Sequence, residues 1–148
     1  MKYLLIPLIF LSGVALPLEA AMNAKLKGGL QSPVLSAVFV SLIATAVASL
    51  VLLFGLLGRG NVSGASTLPW WAWTGGILGF ILVIVGLTAL PKVGAEALIT
   101  VTVLGQVVTA LLMDHYGWLD VPQVRINGWR IAGAVLVFVG VLMTTRKG

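Results

Sequence analysis

Cysteine is absent from this 148-residue chain, so disulfides, thiolate metal sites and thiol redox chemistry are excluded. Charge is scarce as well. Only 9% of the residues are Asp, Glu, Lys or Arg, against about a quarter in an ordinary soluble domain. One histidine and four acidic residues supply neither a nucleophile–base pair nor a set of metal ligands. The reading is therefore not an enzyme, with no metal and no cofactor. What the chain has in quantity is apolar: 59% of its residues are hydrophobic. It cannot cover itself with polar surface, and it reads as an integral membrane protein immersed in a lipid bilayer. The net charge of +5 does not point to nucleic acid. The basic residues stand singly or in pairs at the edges of apolar runs, as membrane anchors do.

The expected fold is all-α, a single membrane domain over 1–148 with five spanning helices at 3–23, 33–57, 70–90, 93–113 and 129–145. Each run has the length one bilayer crossing needs, and none shows the alternation of a β-barrel strand. GRGNVSGASTLP, between the second and third runs, reads as a flexible loop. Only PKVG separates the third and fourth, which reads as a tight hairpin. The first run also resembles a secretory signal peptide, with Lys2 ahead of it and Ala20-Ala21 behind. Nothing soluble follows to be secreted, so the spanning reading is preferred.

Five spans put the termini on opposite sides. The N-terminal side then carries Lys2, Arg59, Arg125 and Arg130, and the other side Lys25, Lys27, Lys92, Arg146 and Lys147. Orientation follows the Lys/Arg excess, and four against five is almost no instruction. Tyr3, Trp70, Trp71, Trp73, Tyr116, Trp118 and Trp129 all fall on the N-terminal side, so one protomer supplies one interfacial belt. Two protomers in opposite orientations would supply both. The expected partner is a second copy of the chain, antiparallel to the first.

Polar residues inside spans are the candidate site, because hydrocarbon penalises them. Ser12, Ala15, Glu19 and Asn23 share one helix face. Two readings fit Glu19: a titratable group lining a cavity, or a helix end that snorkels to the surface and pairs with Lys25 or Lys27. Thr102, Gln106, Thr109 and Met113 form a second stripe, with Gln106 near mid-span. Gln106 either contacts substrate or joins helices through its amide. Glu96 suits the start of its helix. The expected substrate or coupling cavity comprises Glu19, Asn23 and Gln106, with Ser12 and Thr102 as secondary contacts. Trp70 and Trp71 read as interface belt or aromatic gate. Gly75, Gly79 and Gly86, with Gly133 and Gly140, read as surfaces for close helix approach, within a protomer or across a dimer. Asp114-His115 reads as an end to the fourth helix that anchors the loop after it.

PWWAWTGGILG (69–79), GQVVTALLMDHYGWL (105–119), NAKL (23–26) and Arg130-Ile131-Ala132-Gly133 with Gly140-Val141 together resemble the YdcZ-like inner-membrane family of bacteria, in the drug/metabolite transporter superfamily. The resemblance covers nearly the whole chain. It implies a small transporter related to the small multidrug resistance proteins, whose relatives work as antiparallel homodimers, as paired chains of opposite orientation, or as fused halves. Two positions depart from the pattern. Tyr116 stands where phenylalanine is expected, and Glu19 where an uncharged amide is expected.

The expected function is thus a small dual-topology transporter that alternates access as an antiparallel homodimer, with proton coupling through Glu19 and an unidentified small-molecule substrate. An ion channel built on the same dimer, and an accessory membrane protein without flux, are the other two readings. Saturation and counterflow separate a carrier from a channel.

Overall fold

The computed structural model describes residues 2–58, 60 and 62–145. Arg59, Arg146 and Lys147 of the charge balance lie outside them, as do the N-terminal Met1 and the side chains of Lys2 and Tyr3. All regular structure among the described residues is helical: α1 (Lys2–Leu30), α2 (Pro33–Leu53), α3 (Gly75–Tyr116) and α4 (Gly128–Thr145), with short 3-10 turns at Val62–Thr67, Trp70–Trp73 and Trp118–Asp120. Among the described residues four helices are long and apolar enough to cross a membrane.

The boundaries differ from the sequence expectation for local reasons. α1 runs past Asn23 to Leu30, because Ala24, Lys25, Leu26 and Lys27 are all good helix formers. It stops beside Gly28-Gly29, and Gln31 turns the chain with φ 52°. Ser32 then caps α2: its hydroxyl accepts the Leu35 N–H at 3.2 Å, and Pro33 occupies the first turn, where its missing N–H costs nothing. α2 ends at Leu53, although the apolar run continues to Leu57. Gly55 has φ 64°, and two N–H groups fold back, Gly55 to the Leu52 carbonyl at 3.1 Å and Leu56 to the Val51 carbonyl at 3.2 Å. That pair of bonds is a Schellman closure, which a glycine in the left-handed region makes possible. Trp70–Trp73 forms a 3-10 turn after Pro69, and the α-helix begins only at Gly75, with Ile77 N–H bonded to the Thr74 carbonyl at 3.0 Å.

The third helix has 42 residues, roughly 63 Å if straight and twice the hydrocarbon thickness. It is not regular throughout. Gly94 has φ 82° and ψ 165°, outside the helical region, while Pro91, Lys92 and Val93 remain helical. The interruption is therefore one residue wide rather than the whole of PKVG. The segments on either side, 75–93 and 95–116, are each long enough for one crossing. Only glycine adopts the Gly94 conformation freely. A Cβ built there meets no described heavy atom within 4 Å, so the obstacle to a side chain is conformational. Gly94→Ala is expected to destabilise the protein by about 1–2 kcal/mol, read from thermal unfolding in mild detergent. An unchanged midpoint would mean that the break at Gly94 is not part of the folded state.

The chain divides into two compact units: Met1–Pro17 with Lys92–Gly148, and Leu18–Pro91. Very little is buried. Among the described residues these are Ala37, Leu87, Val141 and Ser36. Ser36 is fully buried, and its hydroxyl donates to the Ser32 carbonyl at 2.8 Å, so no polar atom is orphaned. Large apolar side chains lie exposed along every helix, Phe10, Leu53, Ile77 and Leu136 among them. A soluble protein would not leave them in water, whereas lipid is a solvent for them.

Candidate functional site: polar groups on apolar helices

On α1, Glu19 is exposed and Asn23 half-buried. The Asn23 amide Nδ2 donates to Glu19 Oε1 at 3.3 Å, one helical turn away. The carboxylate is thus held by its own helix. Pairing of Glu19 with a lysine does not occur among the described residues, where Arg130–Asp114 is the ion pair present. Lys27 is engaged elsewhere: its Nζ donates to the Leu87 carbonyl at 3.0 Å.

In the second half of α3, Gln106 is exposed, and its amide has no hydrogen-bond partner among the described residues. Thr102 and Ser12 are less open, because each hydroxyl donates within its own helix. Thr102 Oγ1 bonds the Leu98 carbonyl at 2.7 Å, and Ser12 Oγ bonds the Ile9 carbonyl at 2.7 Å. This satisfies the donor and leaves the oxygen as an acceptor. Glu19 and Asn23 belong to one compact unit, and Ser12, Thr102 and Gln106 to the other.

Trp70 is 78% exposed and Trp71 half-buried. They sit on the 3-10 turn that leads into α3, where interfacial anchors belong. A Cβ placed on Gly75, Gly79, Gly86, Gly133 or Gly140 would meet no described heavy atom within 4 Å. Among the described residues these glycines thus make no close helix contact and leave open faces on α3 and α4. An apolar recess beside α2 is lined by Ala44, Val47, Val51 and Leu57, with no charged group among the described residues that line it.

The densest polar cluster is at the C-terminal end of α3. Asp114 pairs with Arg130 of α4. Arg130 Nη1 also donates to the Val124 carbonyl at 2.9 Å, and the Val124 N–H returns to the Asp114 carbonyl at 2.8 Å. His115 Nδ1 accepts the Ile126 N–H at 3.2 Å, and Gln123 Nε2 donates to the His115 carbonyl at 2.7 Å. Asn127 caps α4 through the Arg130 N–H at 2.9 Å. Asp114-His115 anchors the loop, as its position in the sequence suggested. The role of Arg130 was not legible beforehand. A basic residue one turn into a helix, after an Asn cap and opposite an acidic helix end, was the available signal. Most of the cluster's polar groups bond one another, and they clasp the loop between α3 and α4.

The fold defines a polytopic helical membrane protein with sparse polar groups on its spans. A family model described as "Putative inner membrane exporter, YdcZ" matches residues 4–143, and the chain belongs to that family. The family description is that of an exporter, not an enzyme, and it places the chain in the inner membrane. No curated protein and no solved structure matches the chain.

Proposed function

We propose that the protein exports a small molecule by alternating access, as an antiparallel homodimer with five crossings per protomer. The break at Gly94 supports the count, since it divides α3 into two lengths that each fit one bilayer. The observation that carries the reading is Gln106. A primary amide in the middle of a span, without a partner among the described residues, is costly in hydrocarbon unless a second chain or a ligand supplies one. Glu19 extends the argument, because Asn23 satisfies only part of its acceptor capacity. Two identical halves in opposite orientations reproduce the inverted repeat of larger transporters, with a shared polar cavity near the midplane. Glu19, Asn23 and Gln106 would line that cavity, with Ser12 and Thr102 behind them. Trp70 and Trp71 would stand at its mouth, and the open glycine faces of α3 and α4 would meet the second copy. A carboxylate there that gains and loses a proton couples proton entry to substrate exit.

Topology tests the dimer directly. Two fusions to the C-terminus, one with a reporter active only in the cytoplasm and one with a reporter active only outside it, are both expected to give strong signals. Activity of one reporter alone would overturn the homodimer and leave an oppositely oriented partner chain or a parallel assembly.

A further inference from the structure

The chain passes between its two compact units twice, after Pro17 and after Pro91. Both prolines are internal to helices, α1 and α3. A helix-internal proline removes one N–H from the ladder and weakens the helix there. Each proline is thus a softened point in its own helix. At Pro91 the consequence is visible. The carbonyl four residues earlier belongs to Leu87, to which Pro91 has no N–H to return. The Lys27 ammonium fills that place at 3.0 Å, on a residue that is only 2% exposed. Lys27 is half-buried and reaches Leu87 across sixty positions of sequence, so the bond ties the end of α1 to α3 immediately before the softened point.

We propose that Lys27 is a latch on α3 at Pro91, its ammonium standing in for the N–H that Pro91 lacks and holding the last turns before the Gly94 break closed. This stands apart from the exporter reading, since it concerns how the helices are joined and not what the protein carries.

The test is a double-variant cycle in the purified full chain. Lys27→Met removes the donor but keeps the apolar stem. Pro91→Ala restores a backbone N–H that can bond the Leu87 carbonyl without help. The chain has no cysteine of its own, so Leu87→Cys, at a side chain only 2% exposed and with its backbone carbonyl unchanged, gives one reporter thiol on the latched turn, read by its labelling rate with a water-soluble maleimide. In the Pro91 background Lys27→Met is expected to raise the labelling rate about fivefold or more, the response of an opening equilibrium to losing one charge-assisted bond to a buried carbonyl. Lys27→Arg, which keeps a donor, stays close to the unaltered protein. In the Pro91→Ala background the same Lys27→Met change has little effect. An equal effect in both backgrounds, or none in either, overturns the proposal. If Lys27→Met alone does not fold, rescue by Pro91→Ala supports the latch and failure to rescue overturns it. None of these readouts involves substrate, so their failure leaves the exporter reading to stand or fall on topology.

Discussion

Replacing Glu19 by glutamine is expected to abolish the pH dependence of export while leaving the assembled protein intact. Glutamine matches the carboxylate in shape, and its amide oxygen can still accept from Asn23 Nδ2, which now lies 3.3 Å from Oε1. Folding and association should therefore survive. What is lost is the exchangeable proton. With one proton exchanged per substrate, a gradient of one pH unit supports about a tenfold accumulation. The variant should reach only the undriven distribution, a ratio of about one at the same gradient. The measurement is accumulation in vesicles with an imposed pH gradient, using whichever compound of a screened panel the unaltered protein exports best. A tenfold accumulation retained by Glu19→Gln would sink the coupling role. It would also fit the family pattern, in which the resemblance implies an uncharged amide at this position.

The largest expected loss of stability is at the clasp between α3 and α4. Arg130→Met is expected to cost about 3 kcal/mol, at the low end of what removing one partner of a buried pair costs. The low end applies because the two side chains remain 27% and 25% exposed, so water screens part of the interaction. The loss has two sources. Asp114 keeps a charge without its counterpart, and the Val124 carbonyl loses its guanidinium donor. The loop of 117–127 should open to protease as the unfolding midpoint in mild detergent falls. Pairing Arg130→Met with Asp114→Asn removes the stranded charge and should recover a sizeable part of the loss, a coupling of about 1–3 kcal/mol. A midpoint for Arg130→Met indistinguishable from that of the unaltered protein would show that the pair is an ordinary surface contact.

His115 explains why the clasp is specific in its residues. Its Nδ1 accepts the Ile126 N–H, so the neutral ring carries its hydrogen on Nε2. The ring also stands edge-on to Tyr116, with centroids 4.8 Å apart, and Tyr116 stacks on Trp118 at 5.5 Å. The DHYGW stretch that carried the resemblance is therefore a structural motif here. It closes a helix, turns the chain through Gly117 at φ 65° and leads through the irregular segment 121–127 to α4. The departure to Tyr116 keeps these ring contacts.

The sequence by itself determined the class of protein. Length of apolar run and scarcity of charge are properties of composition and order, and they dictate a membrane solvent, helices and the approximate places where the helices lie. The polar candidates Glu19, Asn23 and Gln106 were legible for the same reason, since any polar residue in such a run stands out. The loop-anchoring role of Asp114-His115 could be read from its position at the end of an apolar span. Helix ends were less legible. Hydropathy continues through Leu57, but α2 ends at Leu53 and is closed at Gly55, because closure depends on φ and on two returning N–H groups rather than on side-chain polarity. What only the tertiary structure decided is which distant groups meet. Lys27 counted as a surface anchor in the sequence, yet its ammonium lies on the Leu87 carbonyl sixty residues away. Arg130 counted as one more orientation charge, yet it pairs with Asp114. Both outcomes depend on where a proline or a helix end leaves a backbone or carboxylate oxygen uncovered in space, and a one-dimensional pattern does not contain that coordinate.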